Sequence, residues 1–142
     1  GALVHNAGGQ VSKENFSERA GLSTIQLNEA ANEDPLLTNL PNSFLAFVGH
    51  KEACQTLPEG AVLLAGSDRC PVQIIRFQQN IYATQFHVEL DAPGMIVRIQ
   101  NYQDQGYFDP ASASSLMEEV KDVAAEVPHR ILRRFVERCR RE

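Results

Sequence analysis

The sequence of 142 residues predicts an α/β fold in which a sheet built from the first two thirds of the chain is covered by helices from the last third. Three observations support this fold class. Short apolar runs of strand length fill the chain as far as Asp91. Apolar residues at helical spacing follow from Met95 onward. Between them, a strand-like run carries His87 and Glu89, and α/β sheets commonly place functional side chains at such strand ends.

The chain is expected to begin with a short helix at residues 2–7, which Gly8 and Gly9 end. A polar loop is expected at residues 13–21 because this stretch lacks any apolar alternation. The predicted strands are residues 10–12, 22–27, 43–48, 61–65 and 72–77, and the run that lies between Asn80 and the turn beginning at Asp91. Residues 78–80 could join the last two as a hairpin.

Two Asp-Pro pairs predict helix starts, because Asp is a preferred N-cap and Pro is tolerated in the first turn. Asp34-Pro35 would open a short helix at residues 36–40, and Asp109-Pro110 would open a longer one. Another helix is expected after Pro93-Gly94, ending at Gly106. Pro128 is expected to break the helical run. Three apolar stripes mark these helices: Met95, Ile96 and Ile99; Leu116, Val120, Val123 and Val127; and Ile131, Leu132, Phe135, Val136 and Cys139.

Charge and composition exclude several classes of protein. The net charge is −5, with 13 basic and 18 acidic residues, which argues against a general nucleic-acid partner. No apolar run approaches the roughly 18 residues of a membrane span, so no membrane partner is expected. The tail has six arginines, and we expect them on the solvated face of an amphipathic helix rather than in a phosphate or RNA site. They are Arg130, Arg133, Arg134, Arg138, Arg140 and Arg141.

The cysteines Cys54, Cys70 and Cys139 are odd in number and widely spaced, which fits neither a disulfide framework nor a zinc site. With no signal peptide at its start, the chain is expected to be cytoplasmic. Because helix-like sequence follows Gly1 at once without an N-cap residue, we also expect that residues upstream of Gly1 have been lost.

His87 and Glu89 carry the chemistry that the residues themselves suggest. On extended chain, positions i and i+2 face the same side, so the carboxylate can hold one imidazole nitrogen and leave the other free as a base. That is two thirds of a nucleophile–His–acid triad. His-x-Glu alone is a weak pattern, and a strand-end histidine beside a surface acid is the alternative interpretation.

The segment Tyr82-Ala83-Thr84-Gln85-Phe86-His87-Val88-Glu89 resembles the one that carries the catalytic histidine and glutamate of class I glutamine amidotransferase domains. The family form is Gln-Phe-His-Pro-Glu, so Val88 replaces a proline. Residues 3–11 resemble the helix that follows the family's Gly-x-Cys-x-Gly-x-Gln nucleophile elbow, together with its Gly-Gly exit. On this alignment Gly1 occupies the glutamine position, which is a departure, and the cysteine would lie four residues before Gly1.

A second match supports the resemblance. Residues 47–52, followed by 57–61, are similar to the family's x-His-x-(Asp/Glu) loop before Leu-Pro-x-Gly, which implies that Val48, Gly49 and His50 bind substrate. The resemblance spans residues 1 to roughly 105 and is strongest to the GMP-synthase-like subgroup. It implies a partial flavodoxin-like, doubly wound fold with a mixed sheet, and a single truncated domain over residues 1–142.

The resemblance implies a reaction on glutamine. A cysteine thiolate attacks the side-chain amide, His87 moves protons, Glu89 orients His87, ammonia leaves, and water hydrolyses the γ-glutamyl thioester. No metal and no other cofactor are implied. An ammonia-accepting synthetase is a possible partner. Without the elbow we expect no activity from this chain alone, and without the family's first strands we expect self-association or a retained N-terminal fragment.

Several alternatives stay open. The chain could be a non-catalytic binding or structural module with this fold, or a γ-glutamyl peptidase-type cysteine hydrolase. Cys54 lies close to His50 and could be a nucleophile, but it lacks the flanking glycines of an elbow. We expect Cys70 to be structural and Cys139 to be packed. The remaining histidines, His5 and His129, are expected at surface or cap positions.

Overall fold

The computed structural model describes residues 1–140. Seven strands occur in this part of the chain: β1 (Gln10–Ser12), β2 (Glu18–Leu27), β3 (Ser43–His50), β4 (Ala53–Thr56), β5 (Ala61–Gly66), β6 (Ile74–Phe77) and β7 (Ile81–Thr84). The helices are α1 (Ala2–Asn6), α2 (Glu29–Asn32), α3 (Ala92–Tyr102), α4 (Ala113–Val120) and α5 (Glu126–Cys139). A 3₁₀ turn at Pro110–Ser112 leads into α4.

The main sheet has five strands in the order β3-β2-β5-β6-β7, and β1 pairs with β4 in a separate two-stranded sheet. The α/β class with flanking C-terminal helices is therefore confirmed. Every strand pair among residues 1–140 is antiparallel, so the parallel pairs of a doubly wound sheet are not found in this part of the chain. The hairpin predicted at residues 78–80 joins β6 to β7.

Helices cover both faces of the sheet. Successive residues of a strand point to opposite faces, and β3 shows where each face is buried. Phe47 is fully buried in a cluster with Met95 of α3 and Leu116 of α4. Its neighbour Val48 packs instead in a cluster that includes Ile131 of α5. The sheet is thus held between α3 and α4 on one side and α5 on the other.

A β-bulge lies where β2 meets the end of β3. Glu18 is opposite His50 and Gly21 is opposite Val48, so two residues, Arg19 and Ala20, face the single residue Gly49. A bulge re-aims the side chains beside it. Here Glu18 is buried, at 4% exposure, although it is charged.

Three predictions for elements before residue 94 were wrong. The loop expected at residues 13–21 ends earlier, because β2 already pairs with β3 at Glu18. The helix expected at residues 36–40 is a series of turns that includes Asn39 at φ 60°. Helix α3 starts at Ala92 rather than after Pro93-Gly94, because the Asp91 side chain caps it by accepting from the Gly94 N–H at 2.8 Å.

Two predictions about the tail were also wrong. Pro128 does not break a helix but lies in the first turn of α5, where its missing N–H costs no hydrogen bond. Cys139 is exposed rather than packed. The apolar stripe of α5 is only partly covered, because Leu132 is 36% exposed and Val136 is 40% exposed. Asp109 caps the segment that leads into α4, as expected.

Candidate active site

His87 lies three residues beyond the end of β7 and is tied to β3. Its backbone N–H donates to the Phe47 carbonyl at 2.9 Å, in an isolated bridge between the two segments. The strand predicted to run through His87 and Glu89 is therefore shorter than expected, ending at Thr84. The single bridge to a fully buried residue of β3 fixes the backbone at His87 without a continuous ladder.

The predicted contact between His87 and Glu89 is present even though these residues are not in a strand. The distance from Nδ1 of His87 to Oε1 of Glu89 is 2.7 Å. Because a carboxylate only accepts hydrogen bonds, Nδ1 carries the proton. Among residues 1–140, nothing is hydrogen-bonded to Nε2 of His87. The neutral ring then has its lone pair on Nε2, which is the state that a general base requires.

Glu89 is ionised in this arrangement. Burial raises the pKa of Glu89, but the hydrogen bonds from its own N–H and from His87, together with the charges of His87 and Arg98, outweigh this and hold the pKa below its usual range. The Glu89 side chain is 54% exposed and the His87 side chain is 20% exposed. The acid therefore faces solvent while the imidazole is mostly enclosed.

His87 lines an open groove of about 550 Å³, called here the His87 groove. Gly49, His50, Arg98 and Gly1 also line it. A groove of this size accommodates a small polar molecule, since ligand sites commonly enclose ~300–1,000 Å³. The structure thus brings a histidine base, a glycine of β3 and a cation to one concave surface.

Two of the three predicted substrate-binding residues lie in this groove. Gly49 and His50 line it, but Val48 does not. Val48 is 2% exposed and belongs to the core beside α5. Any role of Val48 toward a ligand would have to come from its backbone.

The His50 ring contacts the groove and also a buried carboxylate. Its Nε2 lies 2.8 Å from Oε2 of Glu18, and its Nδ1 lies 3.1 Å from the Glu52 carbonyl. Burial raises the pKa of Glu18, but the hydrogen bonds from His50, Gln73 and Ser23 hold it below its usual 4.5. Glu18 is therefore ionised at neutral pH.

None of the chain's three cysteines lines the His87 groove in the part of the chain that the structure describes. Cys54 is buried, and burial raises the pKa of its thiol, which opposes nucleophile formation. Burial raises the pKa of Cys70 to about 11, and its thiol donates to the Val72 carbonyl at 3.5 Å. Cys70 is buried and hydrogen-bonded, which is consistent with the structural role expected for it. Glu18, His50 and Cys70 are also the one set of three metal-ligating types that cluster within 4.8 Å among residues 1–140.

Sequence reasoning did not single out the groove residues Lys13, Arg98 and Tyr107, and it included Lys51 only as part of residues 47–52. Arg98 lies over the Tyr102 ring at 5.0 Å, and its charge helps to hold the pKa of Glu89 down. Lys51 lies over the Tyr107 ring at 4.7 Å. A single basic or aromatic residue on a helix or in a loop carries no pattern that separates it from ordinary surface positions, so only the tertiary contacts identify these residues.

The arginine-rich tail is used partly for packing. Arg134 donates to the carbonyls of Leu36 and Thr38 at 3.0 and 2.8 Å. Arg138 donates to Oδ1 of Asn80 at 2.9 Å. These bonds fasten α5 to the loops at one end of the sheet. Arg141 lies outside the described residues.

His5 is exposed in the last turn of α1, as predicted. His129 was expected at a surface or cap position, but it is half-buried, and its Nε2 lies 3.0 Å from the Leu90 carbonyl. Since a carbonyl only accepts, this nitrogen donates. The bond ties α5 to the residue that follows Glu89. No helix in the described part of the chain combines the length and hydrophobicity that a membrane crossing requires.

Comparison with known proteins gives a family match. A model of the class-I glutamine amidotransferase family matches residues 2–93. The chain is 36% identical over 90 residues to a glutamine-hydrolyzing GMP synthase of Thermosipho melanesiensis, and the match covers 63% of this chain and 17% of that protein. It is 34% identical over 84 residues to one subunit of a glutamine-hydrolyzing GMP synthase of Methanocaldococcus jannaschii, covering 58% of this chain and 43% of that subunit. The chain spans less than half the length of both relatives.

Solved structures agree on the fold. A glutamine amidotransferase from Thermotoga maritima superposes with a TM-score of 0.77 at 21% identity, covering 96% of this chain and 56% of that one. A glutamine amidotransferase from Methylobacillus flagellatus gives a TM-score of 0.73 at 18% identity, covering 95% of this chain and 58% of that one.

Proposed function

Because the chain belongs to the class-I glutamine amidotransferase family, we propose that it supplies the base and the orienting acid for hydrolysis of the glutamine side-chain amide. The observation that carries this proposal is the 2.7 Å contact between Nδ1 of His87 and Oε1 of Glu89 at the wall of the His87 groove. The contact fixes the tautomer in which Nε2 can accept a proton. Gly49 and His50, which line the same groove, are proposed to form part of the glutamine site.

The nucleophile is proposed to be a cysteine four residues ahead of Gly1. Gly1 lines the His87 groove, which supports a nucleophile carried close to this end of the chain. Nε2 of His87 takes the thiol proton and the thiolate attacks the amide carbon. The carbon–nitrogen bond then breaks, the proton passes from Nε2 to the departing nitrogen, and ammonia is released. A water molecule, deprotonated by Nε2, hydrolyses the thioester to glutamate and regenerates the thiol.

Glu89 is proposed to orient His87 and to stabilise the imidazolium that forms after each proton transfer. It does not need to take the proton itself. Burial raises the pKa of Glu89, but the hydrogen bonds from its own N–H and from His87, with smaller help from the charges of His87 and Arg98, keep the carboxylate ionised. The residues of this chain therefore hold and move the proton, while the upstream segment provides the attacking atom and the elbow's oxyanion-binding amides.

The ammonia is proposed to serve a synthetase, as the glutamine-hydrolyzing GMP synthases among the relatives suggest. The match to a GMP synthase made of separate subunits supports a partner chain as the acceptor. We place this reaction in the cytoplasm. Residues 1–142 on this proposal form a single, truncated amidotransferase domain.

Self-association, or binding of an N-terminal fragment, is proposed to complete the fold. β3 is an outer strand of the five-stranded sheet, and its Leu45 is 47% exposed. An outer strand with exposed apolar residues is a template for pairing. Light scattering combined with intact mass tests this, and a monomeric, well-folded chain of 142 residues without a bound fragment would contradict it.

The decisive experiment uses a longer form of the chain that carries the family's amino-terminal third with its cysteine, called here the cysteine-bearing form. We expect it to release ammonia from glutamine, and His87→Ala to lower kcat by ~10²–10⁴-fold, the range that a general base contributes. His5→Ala, at an exposed histidine, is the matched control and should leave the rate unchanged. An ammonia-release rate that is unchanged in His87→Ala would refute the triad. Hydrolysis of γ-glutamyl peptides without hydrolysis of glutamine would indicate a peptidase.

A further inference from the structure

A charged side chain is buried beneath the His87 groove and takes no part in the proton transfers. Glu18, at the start of β2, is 4% exposed. Carboxylates are rarely buried unless they are paired, because desolvation of the charge is costly. Its partner is His50, a residue of the groove wall. The pair therefore connects the core to the surface where glutamine is proposed to bind.

The β-bulge explains how Glu18 comes to face His50. Arg19 and Ala20 lie opposite the single residue Gly49, so the strand is offset by one position at Glu18. Gly49 has a φ of +155°, and a Cβ placed on it would lie 3.2 Å from the Cα of Ala20. Backbones approach this closely only where a glycine permits it. The bulge therefore fixes Gly49 and His50 against the start of β2.

The hydrogen bonds of His50 determine its orientation. Nδ1 faces the Glu52 carbonyl and Nε2 faces the ionised Glu18, and both partners can only accept. The geometry therefore favours a hydrogen on each ring nitrogen. A charge-assisted bond of 2.8 Å on one side and a backbone bond on the other hold the ring in one orientation.

The remaining lone pairs of Glu18 are also used. Oε2 accepts from Nε2 of Gln73 at 2.7 Å, and Oε1 accepts from Oγ of Ser23 at 3.0 Å. Oγ of Ser67 lies 3.5 Å from Oε1. The carboxylate is thus held from three further positions. Such a network keeps its members in one arrangement because each loss leaves a buried polar group unpaired.

We infer that Glu18 is a positioning residue for the glutamine site, which acts through His50 to fix the groove wall at residues 49–51. This inference rests on the proposed function, because it assigns Glu18 to the site that glutamine would occupy. Glu18 holds the His50 ring, the ring holds the Glu52 carbonyl, and the backbone between these two anchors is the part of β3 and its turn that lines the groove.

A metal site is the competing interpretation of the same cluster. Glu18, His50 and Cys70 have suitable ligand types. However, Oε2 of Glu18 and Nε2 of His50 are hydrogen-bonded to each other at 2.8 Å, and the thiol of Cys70 donates to the Val72 carbonyl. An ion would have to break both contacts. The hydrogen-bonded pair is therefore the state that the structure supports.

The first test uses the chain itself and needs no activity. Long-range ¹H–¹⁵N spectra at neutral pH should show two protonated nitrogens for His50. Glu18→Gln should remove the charge-assisted partner and shift the backbone amides of residues 49–51. Asp34→Asn is the matched control, since Asp34 is a buried carboxylate with a separate partner, Arg76 at 2.7 Å. It should leave those amides unchanged.

Other outcomes of this test decide against the inference. An unprotonated Nε2 in the unchanged chain would overturn it, even if Glu18→Gln does not fold. Ser23→Ala, which removes one donor to Glu18 and leaves His50 in place, should cause a smaller shift at the same amides. If added zinc displaced the His50 N–H signals and raised the melting temperature, the metal interpretation would replace ours.

The second test measures glutamine use by the cysteine-bearing form. Glu18→Gln should raise the KM for glutamine about ten-fold and leave kcat within about three-fold, since a displacement of ~1 Å in a positioning group can cost up to ~10² in efficiency. Asp34→Asn should leave KM unchanged. An unchanged KM in Glu18→Gln would overturn the inference. If the cysteine-bearing form released no ammonia, the proposed function would fail, while the spectra would still decide how Glu18 holds His50.

Discussion

Replacing Glu89 by Gln keeps the shape of the side chain and removes its charge, so it isolates what the carboxylate contributes to His87. Two opposite charges about 4 Å apart attract by about 1 kcal/mol in water and by about 4 kcal/mol at the effective dielectric constant of a protein surface. The Glu89 side chain is 54% exposed. Solvent screening therefore favours the lower part of this range, about 1–2 kcal/mol.

On the proposed mechanism, that energy stabilises the imidazolium that forms when His87 accepts a proton, so its loss should appear in the rate. At about 1.4 kcal/mol for each factor of ten, we expect Glu89→Gln to lower kcat for ammonia release by about 5- to 30-fold in the cysteine-bearing form. The effect should be smaller than that of His87→Ala, because the base itself is kept.

Glu52→Gln provides the matched control. Glu52 lines the same groove, and its side chain lies 3.9 Å from Lys13 rather than beside His87. The Glu52→Gln substitution removes one negative charge from the same groove, as Glu89→Gln does, but at a side chain that does not contact His87. If Glu89→Gln and Glu52→Gln lowered kcat equally, the effect would be one of groove charge, and the orienting role of Glu89 would be refuted.

Three further predictions follow from the structure. The chain of 142 residues alone should release no ammonia from glutamine, because no cysteine among residues 1–140 lines the His87 groove; release that is lost in Cys54→Ser would instead identify Cys54 as the nucleophile. Gly49→Ala should destabilise the chain by ~1–3 kcal/mol in urea denaturation, because φ is positive and the new Cβ would lie 3.2 Å from the Cα of Ala20. Gly8→Ala is the control, since Gly8 also has a positive φ but no atom within 4 Å of the added Cβ, and it should destabilise the chain less. Equal losses of stability would contradict the role of the contact with Ala20. Glu18 has a pKa below its usual 4.5. Its stabilisation is therefore complete well above that value and is lost as the pH falls through the folded-state pKa. Below pH 4.5, the loss of stability should be steeper in the unchanged chain than in Glu18→Gln, and parallel curves would argue against this account.

The elements that the sequence predicts well are those with a local signal. Short continuous apolar runs predict β3 and β5, and Asp109-Pro110 predicts the start of the segment that leads into α4. The contact between His87 and Glu89 is present as predicted, at 2.7 Å, although the two residues lie beyond the end of β7. The predicted strand was too long, because β7 ends at Thr84 and His87 makes only an isolated bridge to Phe47.

The features that sequence reasoning missed depend on contacts between distant residues. Glu18 lies in a polar stretch that resembles a loop, and only its pairing with His50, 32 positions away, shows that it is buried. Asp34 resembles an N-cap, and its Oδ1 accepts from the Leu36 N–H at 2.9 Å. Arg76 and the Tyr82 hydroxyl also bind this carboxylate, at 2.7 and 3.2 Å, and the following residues form turns rather than a helix. In both cases a buried charge selects the local structure, and its partner is supplied by another part of the fold.

The central claim is that His87, held by Glu89, is the base for hydrolysis of the glutamine amide. The most direct measurement is the pre-steady-state formation and decay of the γ-glutamyl thioester in the cysteine-bearing form, compared with its His87→Ala variant. We expect the intermediate to form and turn over in the unchanged protein, and both steps to slow by ~10²–10⁴-fold in the variant. Formation and turnover at unchanged rates in His87→Ala would contradict the account.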